Sequence, residues 1–183
     1  SSTLLVCSYL IEKYPNSQVV TCLNSGNIIE SIVQKSNSHV VRTKVGSVEV
    51  SRKMVCDDAL VGYEENGGFM FGKHNHVRQS EVLEVLDLLE NENIENLPPS
   101  YTTKTKIECS LEQSKIVISE LLKEFPTSDT SDGIKIQVDQ DNWVMIRPSG
   151  TEPIIRIYGE SNSQENLDSL ISNFVAKTKS ILS

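Results

Sequence analysis

A polar segment that ends in two prolines divides the 183-residue chain into halves with different patterns of secondary structure. The segment reads NENIENLPP over 91–99 and is mostly Asn and Glu. Proline fixes its own φ, lacks an amide donor and disfavours helix in the residue before it, so no regular element continues through Pro98-Pro99. We therefore predict two domains, covering 1–97 and 98–183.

The first half alternates amphipathic helical patterns with short runs rich in β-branched residues. Strands that follow one another through helices are typical of a parallel sheet covered on both faces, so we predict a layered α/β domain. The predicted helices cover 2–14, 28–33, 48–57 and 81–89, and the predicted strands cover 18–23, 39–43, 59–63 and 69–71.

The second half has a different order: strand, helix, three strands, helix. Ser110 and Gln113 have the spacing of a capping box at the start of a helix. This order predicts an α+β domain with an antiparallel four-stranded sheet and helices on one face. The predicted strands cover 102–108, 133–139, 143–147 and 154–158, and the predicted helices cover 110–125 and 167–182.

Charge and composition exclude several classes of partner. Seventeen basic and 25 acidic residues give a net charge of −8, which disfavours nucleic acid and anionic membranes. No apolar run is long enough to span a membrane, and no secretory signal is visible, so we expect a cytoplasmic protein. Cys7, Cys22, Cys56 and Cys109 lack zinc or redox spacing, and we predict reduced core residues.

The strongest local signal is the loop RPSGTEP over 147–153, between two predicted strands. Arg147 offers a planar fork for phosphate oxygens, Ser149 and Thr151 supply hydroxyl donors, and Gly150 lets backbone N–H groups converge on an anion. These are the parts of a phosphate-binding loop, although an ordinary hairpin connection has a similar composition. For Arg156 on the next strand, an ion pair with an acidic neighbour and a ligand contact are both open.

A second loop, 62–68, follows the third predicted strand. Glu64 and Asn66 lie two positions apart and could bracket the hydroxyl groups of a sugar, while the glycines beside them permit close approach. A solvated acidic turn is the alternative interpretation.

Metal and nucleophile signals are weak. His74 and His76 could hold a metal, but no third ligand with suitable spacing stands out, so we predict no metal site. Asp139 and Asp141 lack the glycine and the final Glu of a calcium loop, and they are better interpreted as a hairpin tip. No hydrolase elbow, Walker loop or dinucleotide-binding loop is present.

Taken together, these motifs resemble those of the α-D-phosphohexomutases, the family of phosphoglucomutases, phosphomannomutases and phosphoglucosamine mutases. The Glu-Glu-Asn-Gly-Gly form of the second loop is most similar to archaeal-type bifunctional enzymes. The segments similar to the family's third domain are 42–46, 62–68, 71–72 and 77–78. Those similar to its C-terminal, fourth domain are DGIK at 132–135, WVMI at 143–146, RPSGTEP at 147–153 and IRIY at 155–158.

The resemblance implies an isomerase that moves a phosphoryl group between the 1- and 6-positions of a hexose phosphate. Glucose 1,6-bisphosphate would be the intermediate and activator, and Mg²⁺ would be held in the second domain. Carried onto this chain, the sugar would be contacted by Glu64 and Asn66. The phosphate would be bound by Arg147, Ser149, Gly150, Thr151 and, beside them, Arg156.

Two family motifs do not occur in these 183 residues: the phosphoserine loop of the first domain and the Asp-rich magnesium loop of the second. The resemblance therefore implies that domains 1 and 2 are missing partners, that no catalytic residue or metal ligand lies in this chain, and that the isolated chain is inactive. After Arg78 the family usually continues Asp-Gly, whereas Gln79-Ser80 follow here. A phosphoglucosamine mutase fragment and a non-catalytic binding module on the same scaffold are the alternatives.

Overall fold

The computed structural model describes residues 2–66, 68–72 and 99–183. By its contacts the chain divides into two compact units, Ser1–Leu97 and Pro98–Ser183. The predicted helix over 81–89 and the residues His74 and His76 lie outside the described residues.

The first unit contains a four-stranded sheet in the order β2-β1-β3-β4. Strand β1 is parallel to both β2 and β3, whereas β4 runs antiparallel to β3. The predicted layered α/β architecture is therefore confirmed. Within residues 2–66 and 68–72, its elements are α1 (Ser2–Lys13), β1 (Gln18–Cys22), α2 (Ile28–Gln34), β2 (His39–Thr43), α3 (Ser47–Asp57), β3 (Val61–Tyr63) and β4 (Phe69–Phe71).

Helices cover both faces of this sheet, because successive side chains of a strand point to opposite sides. Val19 packs with apolar residues of α1 and α2, whereas Val20 packs with those of α3. Gly62 on β3 lets α3 approach closely, since a Cβ at this position would lie 2.4 Å from the sulfur of Met54. The larger core cluster comprises Cys7, Leu10, Ile11, Val19, Ile29, Ile32, Val33, Leu60, Val61 and Tyr63.

The second unit contains a four-stranded sheet in the order β5-β8-β7-β6, and each neighbouring pair is antiparallel. The predicted capping box is present at the first helix: Ser110 Oγ accepts from the N–H of Gln113 at 3.2 Å, and Gln113 Oε1 accepts from the N–H of Ser110 at 2.8 Å. The elements are β5 (Tyr101–Glu108), α4 (Leu111–Glu124), β6 (Ile134–Gln137), β7 (Trp143–Pro148), β8 (Ile154–Ser161) and α5 (Gln164–Leu182).

Both helices of the second unit pack on the same face of its sheet, as predicted. Val117 of α4 and Phe174 of α5 share one core cluster with Ile146 and Ile157 of the sheet. Residues that alternate with these strand positions point to the opposite face, which we call the outer face. By strand register, the basic residues of the outer face are Lys104, Lys106, Lys135, Arg147 and Arg156.

The cysteine prediction is correct for three residues and wrong for one. Cys7, Cys22 and Cys109 are buried thiols, but Cys56 is exposed on α3. Val50 and Met54 form the buried stripe of that helix, and Cys56 does not lie on it. None of the helices in the described ranges is long and apolar enough to cross a membrane.

Candidate functional site

The loop between β7 and β8 is a short hairpin connection closed by its own backbone. The N–H of Ser149 donates to the carbonyl oxygen of Ile154 at 2.9 Å, and the N–H of Ile154 donates to that of Glu152 at 2.8 Å. Ser149 is buried, whereas Gly150 and Thr151 are exposed. The backbone groups of 150–151 therefore lie at the surface of a loop whose ends are fixed.

Arg147 precedes this loop and is only 16% exposed. Its Nε donates to the carboxylate of Asp132, itself 15% exposed, at 3.2 Å. The two terminal nitrogens of the guanidinium make no hydrogen bond to any residue that the structure describes. Asp132 thus fixes the Nε side of the guanidinium. The two terminal nitrogens remain for a bidentate contact with two phosphate oxygens.

Gly133 explains how Asp132 reaches Arg147. This glycine has φ +85°, and a Cβ here would lie 2.3 Å from the carbonyl oxygen of Ile146 and 2.7 Å from the Cβ of Arg147. The turn before β6 therefore lies directly against the backbone of β7, which places the Asp132 carboxylate beside the arginine. Sequence reasoning did not assign a site role to Asp132. The signal for such a role is the Asp-Gly pair at 132–133. It comes directly before β6, the strand that forms a hairpin with the strand of Arg147.

Gly150 lies at the exposed tip of this loop. Its φ lies outside the left-handed region, and a Cβ here would meet no atom within 4 Å. Neither backbone strain nor a close contact therefore requires glycine at this position. The missing side chain leaves open space at the exposed tip of the loop.

Arg156 lies on β8 directly opposite Arg147 in the strand register. Its guanidinium donates to Glu152 Oε2 at 2.7 Å, with Arg156 37% and Glu152 51% exposed. This hydrogen bond is the main cause that raises the pKa of Arg156. The structure therefore contains the ion pair that was one of the two alternatives for this residue.

In the first unit, the loop after β3 brings Glu64 and Asn66 together. A Cβ on Gly68 would lie 3.2 Å from Glu64 Oε2 and 3.4 Å from Asn66 Oδ1, so both side chains approach the same glycine. Asn66 Oδ1 accepts from the N–H of Gly68 at 3.2 Å, which directs its amide toward its own backbone. Glu64 is half-buried and Asn66 is exposed.

This loop lies at the carboxyl end of the parallel strands, where β1 is flanked on one side by β2 and on the other by β3. The chain passes from β1 to β2 on one side and then crosses to β3 on the other. In open α/β sheets, ligands usually bind at the carboxyl ends of the strands where the strand order reverses in this way. Thr21 Oγ1 donates to the carbonyl oxygen of Tyr63 at 2.9 Å, which fixes the start of the loop to the end of β1.

Arg42 at the end of β2 holds the neighbouring loop of residues 23–27. Its guanidinium donates to both carboxylate oxygens of Glu30 and to backbone carbonyl groups. The carbonyl acceptors belong to Cys22, Ser25 and Gly26. With its guanidinium occupied in this way, Arg42 fixes the loop after β1 to the end of the neighbouring strand β2.

No group of three or more His, Cys, Asp or Glu side chains that could hold a metal ion occurs within residues 2–66, 68–72 and 99–183. We assign no chemical step to a metal in this chain.

A layered α/β unit followed by an antiparallel α+β unit with an arginine-led loop defines the class of phosphohexomutases. The family model for phosphoglucomutase/phosphomannomutase α/β/α domain III matches residues 1–99, and the model for the C-terminal domain of the same proteins matches residues 103–177. The chain belongs to the phosphoglucomutase/phosphomannomutase family and carries its domains III and IV.

Two archaeal proteins are among its relatives. The chain is 36% identical over 171 residues to the phosphoglucosamine/phosphogalactosamine mutase of Sulfurisphaera tokodaii. The alignment covers 85% of this chain and 37% of that protein. The chain is also 34% identical over 172 residues to the phosphoglucomutase/phosphomannomutase of Thermococcus kodakarensis, covering 88% of this chain and 38% of that protein. The chain thus spans less than half the length of these relatives.

Solved structures show the same fold at low sequence identity. A phosphoglucomutase/phosphomannomutase family protein from Burkholderia thailandensis superposes with a TM-score of 0.75 and 18% identity, covering 98% of this chain and 41% of that one. The phosphoglucomutase of Paramecium superposes with a TM-score of 0.69 and 14% identity, covering 97% of this chain and 40% of that one.

Proposed function

We propose that this chain is the substrate-binding part of a phosphohexomutase, in which the second unit holds the phosphate of a hexose phosphate and the first unit recognises the sugar hydroxyl groups. The observation that carries the proposal is Arg147, which Asp132 holds by one edge on the strand that leads into the loop of 149–153. A partly buried arginine that is already oriented loses little side-chain entropy when it binds an anion.

The phosphate site would combine Arg147 with the loop that follows it. The guanidinium would bind two phosphate oxygens, while the exposed backbone of Gly150 would supply an N–H donor. The N–H of Thr151 donates to Ser149 Oγ at 3.5 Å and would turn from that long contact to the phosphate. The space that a side chain at Gly150 would fill lets the anion approach the backbone. Ser149 would act from the buried base of the loop, and Arg156 from the adjacent strand.

The sugar site would use the carboxylate of Glu64 as an acceptor for hydroxyl groups and the amide of Asn66 as a donor. Because the amide oxygen of Asn66 already accepts from Gly68, its nitrogen is the group left for the ligand. A mutase must bind its substrate in two opposite orientations. Separate sites for phosphate and hydroxyl groups suit that requirement, since neither identifies which end of the sugar carries the phosphate.

In this proposal, the longer protein interconverts hexose 1-phosphates and hexose 6-phosphates through a bisphosphate. The phosphoserine loop and the magnesium loop of the family are not among these 183 residues. The chain alone would therefore bind hexose phosphates without turnover, and glucose 1,6-bisphosphate would be a ligand rather than an activator.

The test is an NMR titration of the ¹⁵N-labelled chain with glucose 1-phosphate and glucose 1,6-bisphosphate. We expect shifts of the Gly150 and Thr151 amides. Arg147→Ala should weaken binding by about 1.5–3 kcal/mol, the range for hydrogen bonds to charged groups. Arg52→Ala is the matched control, because it removes the same charge from a side chain 75% exposed on α3. Unchanged amides, or equal losses in both variants, would overturn the proposal.

An amino-sugar phosphate is the second candidate substrate. It is favoured by the similarity to the phosphoglucosamine/phosphogalactosamine mutase of Sulfurisphaera tokodaii. The carboxylate of Glu64 would attract the ammonium group of such a sugar. Glu64→Gln should then weaken binding of glucosamine 6-phosphate more than binding of glucose 6-phosphate, whereas equal effects on both sugars would favour the neutral hexose.

A further inference from the structure

Three cations lie side by side across the outer face of the second unit's sheet. Lys106 on β5 is registered directly opposite Arg156 on β8, and Arg156 is registered directly opposite Arg147 on β7. Directly opposite residues of an antiparallel pair have Cβ atoms about 4.5–5.5 Å apart. We call Lys106, Arg156 and Arg147 the cationic row.

The strand alternation fixes the side on which the cationic row lies. Each member of the row has an isoleucine neighbour in its strand that faces α4 and α5. Ile155 and Ile146 belong to the core cluster, and Ile107 is partly buried against it. The row therefore points to the opposite face. The row lies near the proposed phosphate loop, because β7 ends at Pro148 and β8 begins at Ile154; Ile154 and Glu108, which are registered opposite each other, lie one outer-face position nearer the loop.

Like charges placed directly opposite each other destabilise a sheet. Arg147 and Arg156 are offset by Asp132 and Glu152. Lys106 is exposed, and its side chain makes no ion pair or hydrogen bond with any residue that the structure describes. Glu108 lies two positions from Lys106 on the same face of β5, so the charges around the row are mixed in sign. Within the described part of the chain, Lys106 is the member of the row whose charge is left for an anion.

We propose that Lys106 is a further phosphate-binding residue, which extends the site from the loop of 147–153 across Arg156 onto β5. The ligand is the phosphate dianion of the substrate, so this inference rests on the proposed function of the loop. A flexible lysine suits the edge of such a site, because its ammonium group can approach a phosphate as a point charge while Arg147 fixes the orientation.

The chain contains a matched control for Lys106. Lys104 lies on the same strand and the same face, is also exposed, and is registered opposite Tyr158 rather than an arginine. We expect Lys106→Gln to weaken binding of inorganic phosphate and of glucose 1-phosphate by about threefold to fivefold, the effect of one solvent-exposed charge pair. Lys104→Gln should change either affinity by less than about twofold, since it lies farther from the loop.

The experiment is the NMR titration of the Gly150 and Thr151 amides at low and high ionic strength. The charge of Lys106 predicts that its loss matters most at low ionic strength. Equal affinities of Lys106→Gln and Lys104→Gln would overturn the role of Lys106 and leave the loop site in place. Unmoved loop amides in the unsubstituted chain would instead overturn the proposed function, and this inference with it.

Discussion

At the scale of single residues, Gly133 has φ +85° and a Cβ position 2.3 Å from the carbonyl oxygen of Ile146. Any side chain there would have to move backbone atoms of β7 and would also adopt a strained left-handed conformation. We expect Gly133→Ala to lower the free energy of unfolding by about 1–3 kcal/mol or more, measured by urea denaturation.

Gly150→Ala is the matched control for Gly133→Ala. A Cβ at Gly150 meets no atom within 4 Å, and φ is not left-handed. Its free energy of unfolding should stay within about 0.5 kcal/mol of the unsubstituted chain. A loss at Gly150 as large as that at Gly133 would contradict the structural distinction between the two positions.

Asp132 should affect phosphate affinity through Arg147. Asp132→Asn removes the negative charge that holds Nε of the Arg147 guanidinium, so the two terminal nitrogens lose their fixed orientation. We expect phosphate affinity to fall about tenfold, which corresponds to about 1.4 kcal/mol. The measurement is the same amide titration. Asp168→Asn on α5 is the control, because it removes an equal charge from an exposed position, and matching losses would contradict the positioning role.

At the scale of elements, the start of α4 depends on Ser110, whose hydroxyl group accepts from the N–H of Gln113. Replacing an N-cap serine by alanine leaves that donor without its side-chain partner. Ser110→Ala should therefore lower the free energy of unfolding by about 1 kcal/mol in urea denaturation. Ser119→Ala, an exposed substitution inside the same helix, should be neutral or slightly stabilising, because alanine has the higher helix propensity.

The described elements could be predicted from sequence because their signals are local. Periodicity, the capping box and the proline positions all act within one element. The ends of strands depend instead on distant partners. The pattern predicts a strand over 154–158, but β8 continues to Ser161 because Tyr101 of β5 pairs with that residue. In the same way, a strand is predicted to begin at Ala59, yet β3 begins at Val61, where pairing with Val19 starts.

The same limit applies to the candidate site. Arg147 and its loop are contiguous in sequence, so their composition is visible as a motif. The contact of Asp132 with Arg147 depends on the register of the β6–β7 hairpin, and the cationic row depends on that of three strands. Neither arrangement has a local signal. The exposed position of Cys56 was missed because apolar neighbours do not reveal the direction of a side chain on a helix.

At the scale of the whole molecule, the two units differ in how their cores respond to alkaline pH. Burial raises the pKa of the Cys7 thiol to about 12 and also raises that of the Tyr63 hydroxyl, and both residues belong to the core of the first unit. In the second unit, burial raises the pKa of Cys109. The first unit therefore contains two buried groups that ionise more readily in the unfolded chain than in the folded one. Its free energy of unfolding should fall more steeply at alkaline pH than that of the second unit.

The sign of that effect follows from proton binding. A cysteine in the unfolded chain loses its proton near the ordinary thiol pKa of 9.0, whereas folded Cys7 keeps its proton until about pH 12. Between these values the folded chain binds more protons, so the free energy of unfolding falls as pH rises. We expect the urea midpoint of the first unit, followed by the NMR signals of α1, to decrease steadily above about pH 9.

Cys7→Ala should flatten this decrease, and it should also lower stability at neutral pH through the lost packing. Cys56→Ala, which removes an exposed thiol, should leave the slope unchanged. An equally steep decrease in Cys7→Ala would contradict the assignment of the alkaline sensitivity to Cys7.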